Sequence, residues 1–195
     1  MTESLRIAIA EDEDEQLVDL EETLREFGHQ IVAKAKNGRE LVDQCRETRP
    51  DLVVTDIKMP DMDGLEAAAQ IRKENPIPFV VVSAYHDPDF VERALKEHVL
   101  AYLVKPLSDQ SLKTSIALAM QRFKEFQALQ QQSADLQQAL EDRKTIERAK
   151  GILMKRAELS EQDAFRRLQL LSSQKNRKMI EIARTIVEAE DAFKL

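Results

Sequence analysis

The sequence predicts an α/β domain built on five parallel strands, followed by a wholly helical C-terminal unit. Three observations carry that reading. Five short apolar runs alternate with amphipathic stretches through residues 5–107. From Ser108 the texture changes: glycine is absent until Gly151, and no proline follows Pro106. The charge is also split. Residues 143–184 hold twelve Lys and Arg against five Asp and Glu, in a chain whose formal net charge is -7. Such asymmetry between parts implies separate jobs.

The five runs are "LRIAIA" (5–10), "QIVAKA" (30–35), "DLVVT" (51–55), "PFVVVS" (78–83) and "AYLV" (101–104). Several are β-branched and nearly continuous, as strands buried on both faces should be. Between them lie helical patterns: Leu17, Leu20, Leu24 and Phe27; Leu41, Val42 and Cys45; Leu65, Ala68 and Ile71; Phe90, Val91, Ala94 and Leu95. Strand then helix, five times over, implies a parallel sheet covered by helices.

Leu112, Ile116, Ala119 and Phe123 continue a helical stripe past the last strand. Leu129, Leu136, Ala139, Ile146 and Leu153 then fall near heptad positions, with Arg143 interrupting the seam. The expectation is one long helix that leaves the first domain as a coiled coil. A helix packed on its own domain, or a frayed glutamine-rich linker, are the alternatives. Two further helices are expected, over 160–171 with Ser160 and Asp163 near a capping-box spacing, and over 176–189 with Met179, Ile182, Ala183 and Ile186 on one face. The domains are therefore placed at 1–122, 123–143 (linker) and 144–195. The last is marginal as an independent fold.

A chain of 195 residues suits one large or two small domains. No apolar N-terminal segment reads as a signal peptide, and no run approaches the roughly 18 apolar residues of a membrane span. Cys45 is the single cysteine, so neither an internal disulfide nor a cysteine zinc site is available, and a reducing cytoplasmic setting is expected.

Sites in open parallel sheets form outside the carboxyl ends of the strands. Glu11 and Asp12 end the first strand, Asp56 the third, Ser83 the fourth, and Lys105 with Pro106 the fifth. Three carboxylates without histidine or cysteine describe a hard-cation site, and Mg²⁺ fits it. A carboxylate beside Mg²⁺ can attack phosphorus, while a lysine and a serine hydroxyl bind the phosphoryl oxygens. The constellation thus describes phosphoryl acceptance on an aspartate.

The segments "IAIAEDE" (7–13), "PDLVVTDIKMPDMDGLE" (50–66), "VVVSAY" (80–85) and "AYLVKPL" (101–107) resemble the receiver domain of two-component response regulators. The resemblance implies a flavodoxin-like fold of strand order 2-1-3-4-5, phosphorylated by a sensor histidine kinase. Asp56 would be the acceptor. Asp12, Asp56 and the Lys58 backbone carbonyl would ligate Mg²⁺, with Glu11 acting through water. Ser83 and Tyr102 would form the switch pair, and Lys105, aimed by a cis peptide before Pro106, would bind the phosphoryl group. Lys58 and Tyr85 stand where the family tunes phosphoryl lifetime. Glu11 departs from the commoner aspartate.

The basic segment "IERAKGILMKR" followed by "LSEQDAFRRLQ" and "NRKMIEIARTI" resembles the ANTAR family of RNA-binding antitermination domains over roughly residues 135–190. The resemblance implies a coiled-coil-linked three-helix unit that binds hairpins in nascent RNA. Arg148, Lys150, Gly151 and Lys155 lie in its core segment, and Arg166, Arg167, Arg177 and Lys178 match basic positions beyond it. Gly151 in mid-helix costs about 1 kcal/mol relative to alanine, which suggests close approach of RNA or a neighbouring helix. The segment "RAELS" lacks the family's turn glycine, so Glu158 or a neighbour must turn the chain. Phe165 is expected to be buried, which leaves Phe193 as the other aromatic. A DNA-binding response regulator and a protein-interaction output through the coiled coil are the alternatives. The seam predicts a homodimer that phosphorylation strengthens.

Overall fold

The computed structural model describes residues 4–84, 88–96 and 99–192. The chain divides into two compact units, residues 1–127 and 128–195.

The first unit is a five-stranded parallel sheet in the order β2-β1-β3-β4-β5. Its strands are β1 (Arg6–Ala10), β2 (Gln30–Ala35), β3 (Leu52–Asp56), β4 (Phe79–Ser83) and β5 (Ala101–Val104). The central β3 and β4 are buried at every position, as near-continuous apolar runs require. Helices α1 (Asp14–Glu26), α2 (Gly38–Thr48), α3 (Gly64–Glu74) and α4 (Pro88–Lys96) follow the first four strands. Two apolar layers flank the sheet. Leu41, Val42, Cys45, Ala67 and Ile71 fill one, and Leu17, Leu24, Leu112 and Ile116 fill the other. Burial pushes the Cys45 thiol up to about 12, so it behaves as an apolar side chain.

Local chemistry sets the boundaries. Asn37 accepts from the Glu40 N–H at the start of α2, and Asp63 with Glu66 forms a full capping box on α3. Gly64 is required by contact: a Cβ there would stand 2.0 Å from the Asp56 carbonyl oxygen. Leu95 on α4 is 70% exposed, off the buried stripe its spacing suggested.

Helix α5 (Asp109–Ala157) is continuous for 49 residues. Its C-terminal part joins α6 (Glu161–Lys175) and α7 (Met179–Ala192) in the second unit. The core there is small: Ala149, Leu168, Ile182 and Ala183 are buried, with Ile146, Leu153, Leu171, Met179, Ile186 and Val187 packed around them. Ile146 and Leu153 therefore belong to this three-helix core and do not continue the coiled-coil seam. The seam that remains exposed on α5 is Phe126, Leu129, Leu136 and Leu140, and the expected member Ala139 lies beside it, also exposed. Between α5 and α6 the chain turns at Glu158, which takes the left-handed conformation that a glycine would supply (φ 51°). Ser160 caps α6 by accepting from the Asp163 N–H at 3.1 Å, without the reciprocal bond of a full capping box.

Candidate functional site

The carboxyl ends of β1, β3 and β5 bring Glu11, Asp56 and Lys105 into contact. The Lys105 ammonium donates to Glu11 Oε2 at 2.8 Å and to Asp56 Oδ2 at 2.7 Å. The Lys105–Pro106 peptide is cis, and the Lys105 N–H donates to the Ser83 carbonyl at 2.9 Å. Asp56 Oδ1 accepts from the Lys58 backbone N–H at 3.1 Å. Both carboxylates are buried, so the single ammonium between them is screened little by water. Burial pushes the Glu11 carboxyl up, and the Asp56 charge adds to this while the Lys105 hydrogen bond opposes it. Burial works against the Lys105 cation, yet the hydrogen bonds to Asp56 and Glu11 outweigh it and hold its pKa above the ordinary value.

Glu11 Oε1 is buried without a hydrogen-bond partner. An orphaned anionic oxygen among hard donors fits a hydrated divalent cation. The described residues contain no cluster of three His, Cys, Asp or Glu able to hold a metal alone. Asp12 is exposed and lines an adjoining cleft with Ile57, Lys58, Met59 and Asp63. The Lys58 ammonium lies 5.6 Å from the Phe90 ring centroid. Tyr85 and Phe193 lie outside the described residues.

Ser83 is fully buried. It pairs across the sheet with Val104, and Tyr102 pairs with Val81. Tyr102 is partly buried against Ile57, Leu65, Val81 and Ala94. The two side chains thus stand on adjacent strands two residues apart, next to the Lys105 strand end.

Gln16 was not legible as a site residue. Its Oε1 accepts from the Lys105 ammonium at 2.5 Å. Only its place in the first turn of a helix that follows the β1 carboxylates could have drawn attention to it.

In the second unit the expected cations divide by environment. Lys150 is buried and clipped between Glu147 and Glu161, the latter at 2.8 Å. Arg148 pairs with Asp191, Arg156 with Glu190, Arg177 with Glu181, and Arg166 loosely with Asp163 at 4.0 Å. Lys155, Arg167 and Lys178 are exposed and make no ion pair among the described residues. Lys144, Arg148, Gly151 and Lys155 follow i, i+4, i+7, i+11 spacing, share one stripe of α5, and are all exposed. Apart from its chain neighbours and the backbone of its own helix turn, nothing among the described residues lies within 4 Å of where a Gly151 Cβ would stand. A neighbouring helix of the same chain is therefore not the reason for that glycine. Phe165, expected inside, is 41% exposed. The buried stripe of α6 runs through Ala164 and Leu168, and Phe165 stands one step around the helix from it.

A model of the response regulator receiver domain matches residues 7–117, and one of the ANTAR domain matches residues 134–187. The transcriptional regulatory protein PdtaR of Mycobacterium tuberculosis is 42% identical over 183 residues, 94% of this chain and 89% of that protein. The transcriptional regulatory protein ZraR of Klebsiella oxytoca is 36% identical over 60% of this chain and 27% of its own. Among solved structures, a LuxR-family DNA-binding response regulator from Staphylococcus aureus aligns at 30% identity and a TM-score of 0.57, over 60% of this chain and 98% of that one. A response regulator receiver domain protein from Clostridium thermocellum aligns at 28% and 0.58, over 62% and 98%. With both domains matched in order and a relative aligned along nearly the whole chain, this protein belongs to the response regulator family, as a two-component regulator whose receiver is followed by an ANTAR output domain.

Proposed function

We propose that this regulator accepts a phosphoryl group on Asp56 and, through its C-terminal helices, binds hairpin RNA to promote transcription antitermination. The observation that carries the input half is Lys105, held between Glu11 and Asp56 at the strand ends. An Asp56 carboxylate oxygen attacks phosphorus in the phosphohistidine of a sensor kinase. The P–N bond breaks, its electron pair goes to the imidazole nitrogen, and the lysine keeps its proton to hold a phosphoryl oxygen. Glu11, Asp12, Asp56 and the Lys58 carbonyl would hold Mg²⁺, which when bound neutralises charge on the phosphoryl oxygens. Ser83 and Tyr102 serve as the switch pair: the hydroxyl turns toward the new phosphoryl oxygens and the tyrosine ring repacks.

The output half rests on the exposed stripe of α5. Cations on either side of a glycine with open space above it suit a polyanion whose backbone comes close. A second copy of the chain would meet like charges there. Arg148 and Arg177 can exchange their acids for phosphates at little cost, since exposed pairs contribute only about 0–1 kcal/mol. Lys150 reads better as the clip that fastens α6 to α5. Dimerisation is assigned to the other exposed seam, Phe126, Leu129, Leu136 and Leu140, which follows a 3-4 heptad alternation with Ser133 at the one polar position.

The full-length protein tests both halves. Acetyl phosphate with Mg²⁺ should add one phosphoryl mass to the wild type and none to Asp56→Asn. Hairpin RNA should bind more tightly than duplex DNA of the same sequence. Equal affinity for the two would favour a DNA-binding output. Sedimentation with and without beryllofluoride, and of Leu136→Lys, tests the dimer. An unchanged dimer in both states removes the phosphorylation dependence.

A further inference from the structure

We propose that Gln16 is a positioning residue for phosphoryl transfer to Asp56, acting through Lys105. The inference rests on the reading of Asp56 as phosphoacceptor and adds a residue outside the carboxylate, serine and lysine set expected from the sequence.

A lysine ammonium has three N–H donors and no acceptor. Those of Lys105 meet Glu11 Oε2 at 2.8 Å, Asp56 Oδ2 at 2.7 Å and Gln16 Oε1 at 2.5 Å. Two of the three acceptors have other work: Asp56 takes the phosphoryl group, and Glu11 belongs to the cation site. Gln16 alone is neutral and committed to the lysine. When Asp56 becomes an acyl phosphate, the hydrogen bond to its carboxylate must pass to a phosphoryl oxygen. The bond to Gln16 can stay, and it keeps the ammonium aimed at the strand ends during the exchange.

Gln16 is itself held. Its Nε2 donates to Glu13 Oε2 at 2.6 Å. A cation on one end and a carboxylate on the other fix which end of the amide is carbonyl. It stands in the first turn of α1, partly buried, and lines the same cleft as Glu11, Asp56 and Lys105. A group held on a helix and by its own partner orients a neighbour better than a loop side chain does. The neutral amide also suits the task. A carboxylate at this position would compete for the lysine and repel the incoming phosphoryl group. An aliphatic side chain would leave one N–H to mobile water.

The test uses the full-length chain, acetyl phosphate with Mg²⁺ followed by intact mass, and beryllofluoride affinity followed by the shift in melting temperature. Gln16→Leu should slow phosphorylation roughly threefold to tenfold, the range of one hydrogen bond, and weaken beryllofluoride binding by a similar factor. Gln16→Glu should also slow it. In a Lys105→Ala background, adding Gln16→Leu should cost nothing more, because its effect runs through the lysine. Wild-type rates in Gln16→Leu would overturn the proposal. So would an equal loss in the Lys105→Ala background, which is what a merely structural role predicts. A wild-type protein that takes up neither group would overturn the reading of Asp56 and the role of Gln16 with it.

Discussion

Replacing Gly151 with alanine should move stability and RNA binding in opposite directions. The residue sits inside α5 with ordinary helical backbone, is exposed, and has nothing within 4 Å of the added Cβ. No clash offsets the gain in helix propensity, so the full difference of about 1 kcal/mol should appear as stabilisation. In a unit of this size that raises the melting temperature by roughly 4–8 °C. The same methyl group stands between Arg148 and Lys155 on the basic stripe, where a nucleic-acid backbone would approach most closely. Steric displacement of that contact should weaken hairpin binding by about tenfold, equivalent to about 1.4 kcal/mol. Thermal unfolding followed by circular dichroism and filter binding of a labelled hairpin measure the two quantities on one preparation. A destabilised variant would mean that something packs on Gly151 after all. A stabilised variant with wild-type affinity would remove the α5 stripe from the RNA interface.

Other consequences can be checked separately. Glu11 has a raised pKa in the fold, so the native state holds its proton more tightly than the unfolded chain, and stability is lost as pH rises from the ordinary value of 4.5 through the folded one. Glu11→Gln should flatten that slope in a comparison of urea midpoints across mild acid, and a slope identical to wild type would refute it. Leu168→Ala should cost the second unit about 2–5 kcal/mol, most of what so small a core supplies, and abolish RNA binding while phosphorylation continues. Phe165→Ala should weaken hairpin binding by about 1–3 kcal/mol if the exposed ring stacks on a loop base, without changing the salt dependence. Lys155→Ala should make that salt dependence shallower by about 0.7 in log–log slope, whereas Lys150→Ala should leave the slope alone and lower the melting temperature.

The receiver fold was legible because its central strands are buried on both faces, so burial wrote itself into the sequence as unbroken apolar runs. The predicted strand ends are within a residue of those observed, and Asp56 closes β3 as expected. The helical half was harder because one periodicity serves two purposes. Ile146 and Leu153 repeat every seven residues, which suits a two-chain seam and also suits packing onto α6 and α7. Only the turn at Glu158, which folds α6 back onto α5, separates the two. Phe165 failed for a related reason. Its apolar character suggested burial, but α6 hides only a narrow stripe, and the ring falls one residue off it.

Polar side chains leave no periodic mark, and the candidate sites show how much that conceals. Glu11, Asp56 and Lys105 could be placed together because each closes a strand of a parallel sheet, and strand ends converge by topology. Gln16 follows the same edge but sits on a helix, where nothing in its spacing says which way its amide turns. The basic helices make the point in reverse. Counting cations gave one undivided patch of twelve, yet the acids that partner them lie far away in sequence: Asp191 for Arg148, Glu190 for Arg156, Asp142 for Arg184. Each such pair reduces the field an approaching phosphate meets. Among the described residues Arg143, Lys155, Arg167, Lys175 and Lys178 are exposed without an ion pair, so under the proposed RNA reading the attraction falls on these five and on those arginines whose exposed acids yield at little cost. Lys150 is the member of the patch whose charge two carboxylates, Glu147 and Glu161, already answer within the fold.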